Sequence, residues 1–375
     1  MTTTSSLATS LELQKLSVRD LRCHRALELE LQPGVNLISG ENGCGKTTLL
    51  EAAFIMAQGR SFRQARDPEL VHWDCEKYVI HGRWRRFGPF LVDVKGSKGK
   101  TEVRLQGKVV QRRKDLIEHL PVIADAPQGN RLVDGAPNER RRWLDAVLIS
   151  CRESIRTQYQ RYLRSVMQRN RILRRSIHSQ ELEAWEQQVV SYGLQIQQSR
   201  ETLIAQFNQA LEAEESITEA RLILEMNPAA GMDQHVWLER LKSGREDDAR
   251  MGGMRSGPHR DQLRIIYRGR DIRSIGSRGQ QRLAAVALRL AESEVRVQHR
   301  QLVPVLLLDD CLEALDSIRQ ERLLDRLALY PGQVLLTAPN NVKTSTGMSL
   351  SVQYLQATED GSHIEKRPAE MEEAA

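Results

Sequence analysis

The spacing of hydrophobic positions gives the two ends of the chain a strand-and-helix pattern. Residues 11–40 alternate apolar and polar side chains and contain the apolar run Val35–Ile38, which predicts a hairpin followed by a buried strand. Residues 48–58 carry apolar side chains at helical spacing, and residues 70–110 return to a strand-like pattern. Strands that alternate with helices in this way predict an α/β fold.

The middle of the chain has a different texture, because Gly and Pro become rare after Pro137. From Asn138 to about Leu224 the sequence is rich in Arg, Gln, Glu and Leu, with apolar side chains at helical spacing. This pattern predicts two or three long helices, packed as an antiparallel hairpin. Strand-like sequence resumes at Leu263–Tyr267, and a buried strand is predicted at Val303–Leu308.

We therefore expect one α/β lobe built from both ends of the chain, with a mixed sheet and flanking helices, and an inserted α-helical arm lobe. A chain of 375 residues is long enough for both lobes. The expected boundaries are residues 11–137 and 251–357 for the α/β lobe, 138–250 for the insertion, and 358–375 for a flexible tail.

A glycine-rich turn after the strand Val35–Ile38 fits the phosphate-loop pattern G-x-x-x-x-G-K-T, and a helix follows it. Its glycines let backbone N–H groups face phosphates, and the helix that begins near Lys46 adds its positive N-terminal dipole. We expect Lys46 to reach the β- and γ-phosphates of ATP, and Thr47 to ligate Mg²⁺. The predicted nucleotide-binding residues are Gly40, Glu41, Asn42, Gly43, Cys44, Gly45, Lys46, Thr47 and Thr48.

Two aspartates follow the apolar strand Val303–Leu308. The strand is expected to deliver Asp309 to the Mg²⁺ side of the nucleotide, and Asp310 is expected to polarise the attacking water. Such an acidic strand end is often only structural, but a phosphate loop in the same chain gives it a chemical role. We predict Lys46, Asp309 and Asp310 as catalytic residues, and Thr47 and Asp309 as metal ligands.

A third element, Ser277-Arg278-Gly279-Gln280, opens a helix shortly before the acidic strand. It resembles the signature motif of ABC-type ATPases, in which a serine and a helix N-terminus hold the γ-phosphate of a nucleotide bound to another subunit. The resemblance implies that two protomers sandwich ATP, so we expect an ATP-dependent homodimer. The simpler alternative is an ordinary helix N-cap. Glu313–Asp316 likewise resembles the loop that crosses this dimer interface.

Further runs resemble the RecF family of recombination-repair proteins, which has an ABC-type ATPase head, over roughly residues 12–355. They are Leu21–Arg25, Glu51–Phe54, Gly59–Arg63, Leu132–Pro137, Arg140–Asp145 and Ser256–Asp261. The resemblance implies a cytoplasmic bacterial protein with weak, DNA-stimulated ATPase activity in recombinational repair and replication-fork maintenance. It also implies binding of double-stranded DNA near single-strand gaps, and work with RecO and RecR in loading RecA.

Two positions depart from these patterns. The family commonly has Ser-Pro-Glu where this chain has Ala126–Gln128, and Gln128 is our fourth catalytic candidate, as a glutamine that contacts Mg²⁺ or water. The strand Val334–Thr337 is followed by Ala338-Pro339, so the switch histidine of ABC transporters is absent there. This absence fits slow hydrolysis better than fast cycling.

Basic residues are the candidates for contact with DNA. The chain has 55 Lys and Arg residues against 49 Asp and Glu, a net charge of +6 that either a nucleic-acid partner or solubility explains. We expect contacts to backbone phosphates rather than bases. The candidates are Arg140, Arg141, Arg142, Arg171, Arg174 and Arg175, and the same helical run contains Arg161, Arg164 and Arg169.

Other features narrow the setting. No run reaches the ~20 apolar residues of a membrane span, and the first ten residues do not resemble a signal peptide, so we expect a cytoplasmic location. Five cysteines without a C-x-x-C pair argue against a zinc site or a disulfide framework. The alternative left open is an ABC-type ATPase subunit coupled to a membrane or other protein partner. A phosphate-loop kinase is disfavoured because kinases lack a signature like Ser277–Gln280, and a long-armed SMC relative because the insertion is too short for such an arm.

Overall fold

The computed structural model describes residues 9–63, 67–97, 99–126, 132–340, 350–358 and 361–365. Its strands are β1 (Thr9–Ser10), β2 (Glu12–Leu21), β3 (His24–Glu30), β4 (Val35–Gly40), β5 (Lys77–Arg85), β6 (Pro89–Ser97), β7 (Lys100–Leu105), β8 (Lys108–Val109), β9 (Val122–Asp125), β10 (Leu222–Asn227), β11 (Gln262–Tyr267), β12 (Arg270–Asp271), β13 (Leu302–Val303), β14 (Val305–Leu308), β15 (Val334–Ala338), β16 (Leu350–Thr358) and β17 (Gly361–Glu365).

The helices, with two short 3₁₀ turns at Glu212–Glu214 and Pro258–Arg260, complete the secondary structure of the described residues. They are α1 (Lys46–Gln58), α2 (Asp67–Leu70), α3 (Arg113–His119), α4 (Pro137–Cys151), α5 (Glu153–Leu173), α6 (Glu181–Leu211), α7 (Glu215–Thr218), α8 (Gln234–Ser243), α9 (Arg245–Arg250), α10 (Ile272–Ile275), α11 (Arg278–Arg300) and α12 (Ser317–Ala328).

The chain divides into two compact units. The first consists of Met1–Arg131, Ser216–Glu219 and Ser277–Ala375, and the second of Leu132–Glu215 and Ala220–Gly276. Both ends of the chain thus meet in the first unit, and a continuous middle region supplies most of the second.

The central sheet of the first unit has the strand order β17-β16-β4-β15-β14-β9. All neighbours in it are parallel except β16 and β17. Parallel strands end at the same edge of a sheet, so the residues that follow β4, β9, β14 and β15 come together there. Every residue of β4 is buried, which agrees with its apolar sequence.

A second, antiparallel sheet of the first unit has the order β3-β2-β5-β6-β7-β8. Along β5 the side chains of Tyr78, Ile80 and Trp84 are buried, whereas Lys77 and Arg83 are exposed. This alternation leaves one face of the sheet in the core and the other in solvent. Helix α1 contacts strands of both sheets, so its apolar residues join them into one hydrophobic core.

The second unit is not purely helical. Helices α5 and α6 pack side by side, and Trp237 of α8 lies in their core with Tyr162 and Val190. Strands β10, β11 and β12 form a three-stranded antiparallel sheet in the same unit. The predicted strand Leu263–Tyr267 therefore pairs with a strand of the insertion rather than with the α/β lobe.

The predicted α/β class is confirmed, but the expected boundaries differ from the structure, in which the second unit begins at Leu132 rather than residue 138. The second unit extends to Gly276 rather than residue 250, because β11 pairs with β10. The expected flexible tail contains β17, which pairs with β16 in antiparallel register. Hydrophobic spacing identifies a strand but does not name its partner, which explains the last two differences.

Replacement of Gly193 by alanine is predicted to destabilise the second unit. Gly193 lies within α6, and an added Cβ would stand 2.2 Å from the Trp237 ring. The overpacking cost of about 1–3 kcal/mol equals or exceeds the roughly 1 kcal/mol that alanine gains over glycine in a helix, and a Cβ this close to a ring favours the upper end of that cost. Denaturant unfolding followed by tryptophan fluorescence measures the difference. The exposed Gln195→Ala control should stay within about 0.5 kcal/mol of the parent, and an equally stable Gly193→Ala protein would contradict the packing.

Candidate nucleotide site

The phosphate loop joins the carboxyl end of β4 to the start of α1. Gly45 has φ 96°, a left-handed conformation that favours glycine, and α1 begins at the next residue. The Lys46 ammonium donates hydrogen bonds to the carbonyl oxygens of Gly40 at 2.7 Å and Glu41 at 2.8 Å. The lysine therefore spans the mouth of the loop, where backbone N–H groups and the helix N-terminus favour an anion.

His24 of β3 contacts the phosphate loop, and we call this contact the His24 brace. Its side chain is fully buried, and Nε2 lies 3.1 Å from the carbonyl oxygen of Gly45. A carbonyl only accepts, so Nε2 carries the proton, and burial lowers the pKa of His24, which keeps the ring neutral. A Cβ on Gly45 would stand 2.4 Å from this ring, so the contact requires glycine at that position.

Arg22 is held by a carboxylate of α1. Its guanidinium forms two hydrogen bonds with Glu51, at 2.6 and 2.9 Å, and Glu51 is fully buried. The hydroxyl of Ser61 also donates to Glu51. Three separate sequence runs, around residues 22, 51 and 61, therefore form a single cluster that fixes the orientation of Arg22.

The acidic end of β14 faces the phosphate loop. The Thr47 hydroxyl donates to the Asp309 carboxylate at 2.8 Å. Thr337, at the end of β15, places its hydroxyl 2.9 Å from Asp309 and 3.3 Å from Asp310, so it can donate to one of them at a time. Burial and the neighbouring charge of Asp310 raise the pKa of Asp309, against the hydrogen bonds from Thr47 and Thr337.

Arg282 of α11 connects the signature helix to the sheet edge. Its guanidinium donates to the Asp125 carboxylate at 2.8 Å and to the backbone carbonyl of Asp309. Asp125 ends β9 and is 1% exposed, and Arg289, two turns further along α11, lies 3.5 Å from its other oxygen. A shift of α11 would therefore displace the groups that its arginines contact, the Asp125 carboxylate and the Asp309 backbone carbonyl.

These elements surround a cavity of about 520 Å³. Asp310, with φ 47°, turns its side chain to this cavity in a backbone conformation that is uncommon for a residue other than glycine. The cavity is lined by Arg22, Cys23, Asn42, Gly43, Gly45, Lys46, Thr47, Thr48, Arg63, Asp310 and Glu313. Sequence reasoning did not assign Arg22, Cys23 and Arg63 to the site, although each lies in or beside a run that carried the family resemblance.

The residues at the sheet edge fit a magnesium ion. A hydroxyl oxygen of Thr47 and a carboxylate oxygen of Asp309 stand side by side, and both are hard oxygen ligands. Mg²⁺ in nucleotide sites takes only one or two protein ligands and completes its shell with water and phosphate oxygens. Such a site needs no cluster of three acidic side chains, and the described residues contain none.

The signature residues cap α11. The Ser277 hydroxyl accepts from the Gln280 backbone N–H at 3.3 Å, and the Gln280 side chain accepts from Ser277 N–H at 2.9 Å. This reciprocal cap agrees with the simpler alternative, in which Ser277 is an ordinary helix N-cap. The described residues that line the phosphate-loop cavity do not include Ser277–Gln280, and their role at a nucleotide of another subunit stays a prediction.

Comparison with known proteins identifies the family. The RecF/RecN/SMC N-terminal domain family matches residues 12–359. The DNA replication and repair protein RecF of Herpetosiphon aurantiacus is 34% identical over 356 residues, covering 87% of this chain and 92% of that protein. RecF of Heliobacterium modesticaldum is 31% identical over 342 residues, with the same shares covered. The chain belongs to the RecF family.

Solved structures agree with this assignment. The structure of the recombination mediator protein RecF with ATP, in the RecFOR pathway, has a TM-score of 0.76 and 25% identity over 96% of this chain and 100% of that chain. The Smc head domain of Pyrococcus furiosus has a TM-score of 0.60 at 12% identity over 95% of this chain and 96% of that chain, which shows a shared fold. The family resemblance predicted from short sequence runs is therefore confirmed.

One family-like run, Ser256–Asp261, stabilises the second unit. Asp261 is fully buried and accepts from Arg200 at 2.8 Å, and Arg200 also pairs with Asp145. His259 lies 2.8 Å from the Tyr162 hydroxyl. This run therefore supports packing around a buried ion network, not chemistry at the nucleotide cavity.

Two of the arginines predicted to contact DNA already form ion pairs within the second unit. Arg140 is 3% exposed and lies 3.8 Å from the carboxylate of Asp271. Arg169 is fully buried between Glu186 at 3.1 Å and Asp248 at 2.8 Å. The structure does not support either arginine as a contact for DNA phosphates, because each already neutralises a carboxylate inside its unit.

The other candidate site residues stay predictions. Arg141 is half-buried and donates to the backbone carbonyl of Asp261 at 2.7 Å. Arg142, Arg171, Arg174 and Arg175 are exposed. Gln128 lies outside the described residues. In the described part of the chain, no helix is long and apolar enough to cross a membrane.

Loss of the His24 brace is predicted to weaken ATP binding. His24→Leu removes one hydrogen bond, worth about 1 kcal/mol, so ATP affinity should fall about fivefold in isothermal titration. His24→Gln keeps an N–H group of similar reach and should stay within about twofold of the parent. Thermal unfolding without nucleotide reports any general loss of stability. Equal ATP affinity in the leucine and glutamine variants, at equal stability, would show that the brace has no role.

Proposed function

We propose that this chain is an ATP-dependent DNA-binding protein of recombinational repair and replication-fork maintenance. One observation carries the proposal: in a RecF-family chain, the phosphate loop and the acidic strand end meet through the Thr47–Asp309 hydrogen bond at a cavity open to Lys46 and Asp310. ATP fits this cavity chemically, because its triphosphate matches the loop's backbone donors and the lysine.

The residues of the cavity divide the chemistry among them. Lys46 contacts the β- and γ-phosphates, and its bonds to Gly40 and Glu41 are exchanged for phosphate oxygens. Thr47 and Asp309 hold Mg²⁺, which neutralises charge on the phosphates when bound. Asp310 orients the attacking water and accepts its proton. Because Asp310 replaces the glutamate that many ABC-type ATPases carry, we expect slow turnover that serves as a switch.

The complete site forms in a homodimer. Ser277–Gln280 lie at the N-terminus of a 23-residue helix, where the helix dipole favours a γ-phosphate supplied by the partner protomer. ATP then joins the two protomers, and hydrolysis releases them. The bonds from Arg282 to Asp125 and Asp309 offer a physical link between this trans contact and the acidic strand end of the same protomer.

The nucleic-acid partner is duplex DNA at the edge of single-strand gaps, and RecO and RecR are the protein partners that assist RecA loading. Family membership supports this part of the proposal. The exposed arginines at the end of α5, Arg171, Arg174 and Arg175, provide one candidate surface for DNA phosphates.

Duplex DNA is expected to raise the rate of ATP hydrolysis. Turnover is measured for the purified protein with no DNA, with duplex and with gapped duplex, at low and moderate salt. Stimulation that fades with salt is expected, because phosphate contacts release counterions. Turnover that no DNA alters would contradict the DNA-dependent switch and favour a protein or membrane partner for the same ATPase.

Ser277→Arg is predicted to abolish ATP-driven dimerisation while each protomer still binds ATP. The arginine blocks the trans contact but also removes the helix cap, at about 1 kcal/mol. Ser277→Asn is the matched control, because asparagine caps a helix as well as serine. Sedimentation with ATP reports the dimer. A Ser277→Arg protein that still dimerises with ATP would contradict the proposed contact between the signature and the nucleotide of the partner protomer.

Lys46→Ala should instead weaken ATP binding about 100-fold, since it removes charge-assisted hydrogen bonds.

A further inference from the structure

The solvent face of the antiparallel sheet in the first unit carries a cluster of basic side chains. We call Arg19 of β2, Lys77 of β5, Lys95 of β6 and Lys100 of β7 the basic face. All four are exposed, and their strand neighbours Val18, Tyr78 and Val94 are buried. Because side chains alternate along a strand, these residues share the outer side of the sheet.

Four acidic residues of the same outer side already form ion pairs. Glu28 binds Lys15 at 2.5 Å, Asp93 binds His81 at 2.6 Å, Glu102 binds Arg104 at 2.9 Å and Glu12 binds Arg85 at 2.5 Å. Among the described residues, no carboxylate forms a salt bridge with a member of the basic face. Glu102 is directly opposite Lys95 in the strand register, but its carboxylate binds Arg104, so the sheet holds four positive charges that form no salt bridge within it.

The strand register places these charges close together. Arg19 is opposite Val79, which is opposite Lys95 on its other side, and Lys77 is opposite Ser97, which is opposite Lys100. With strands about 4.8 Å apart, the members of each row stand about 10 Å from each other. The pKa of Glu102 is lowered first by the Arg104 hydrogen bond and also by the charges of Lys100 and Lys95.

Four exposed positive charges on one side of a sheet attract a regular polyanion, because a surface of one charge sign concentrates ligands of the opposite sign. The strand positions between the members of the two rows are Val79 and Ser97, so the sheet offers no aromatic platform for single-stranded bases between these charges. The exposed Phe87 and Leu91 lie toward the other end of β5 and β6, and the exposed Trp73 precedes β5, so the strand positions between the four residues lack the apolar centre typical of a protein interface.

We propose that the basic face binds the phosphate backbone of duplex DNA. The proposal rests on the proposed function, because it names the surface that engages the DNA partner. It differs from the sequence prediction, which placed DNA contacts on the arginines of the helical insertion. Contacts of this type fix position and affinity without reading bases.

The test combines Arg19→Gln, Lys77→Gln, Lys95→Gln and Lys100→Gln in the full-length chain with ATP. Binding of a fluorescent duplex is measured over a series of salt concentrations. The plot of log affinity against log salt should become shallower by up to about 3.6, at about 0.9 for each lost contact. Affinity at low salt should fall at least about tenfold, while ATP affinity and thermal stability stay unchanged.

The matched control combines Arg171→Gln, Arg174→Gln and Arg175→Gln at the end of α5. Loss of slope in the sheet variant supports the basic face, whether or not the α5 variant also loses slope. A sheet variant with the parent's affinity and slope overturns it. A parent protein that binds no duplex in the presence of ATP overturns the proposed function as well, so the two failures are distinguishable.

Discussion

Parallel pairing of β4, β15, β14 and β9 is the constraint on which the candidate site depends. Because these strands run in one direction, the phosphate loop, Asp125, Asp309 and Thr337 come to one edge of the sheet. The Thr47–Asp309 hydrogen bond joins residues 262 positions apart. Neither end of the chain could form this cavity alone. The two ends must therefore pair in the central sheet before nucleotide can bind.

A second layer of interactions holds the site from behind. His24 supports the Gly45 carbonyl, Glu51 orients Arg22, and Arg282 ties α11 to Asp309. These bonds are buried or half-buried, where hydrogen bonds are stronger and unpaired groups are costly. The phosphate loop is thus preorganised, so binding energy from ATP need not be spent on ordering it.

Charge has different uses in the two units. In the second unit, the buried arginines Arg140, Arg169 and Arg200 are each paired with a carboxylate, and the loss of that partner would leave an uncompensated buried charge. In the first unit, the outer sheet leaves Arg19, Lys77, Lys95 and Lys100 exposed without a salt bridge among the described residues. Composition counts both groups alike, although only the exposed group is available to a partner.

The sequence by itself determined the local chemistry. The pattern from Gly40 to Thr47 requires a strand, a turn and a helix in that order, and Asp309-Asp310 must follow an apolar strand. These are short-range features, so spacing and residue type predicted the loop, the acidic strand end, the helix that opens after Ser277 and the α/β class. The runs that identify the RecF family are also local, which explains why the family was predictable.

Tertiary structure decided which elements meet. Leu263–Tyr267 is recognisable as a strand, yet its pairing with Leu222–Asn227 assigns it to the second unit. Arg140 and Arg171 both look like helix-surface residues in sequence, but burial separates them. His24 lies in the family-like run Leu21–Arg25, but only the fold brings its ring to Gly45. Strand pairing, burial and long-range contacts depend on the whole packed chain. Each is stabilised by residues that are far apart in sequence, and no local pattern specifies which of them will meet.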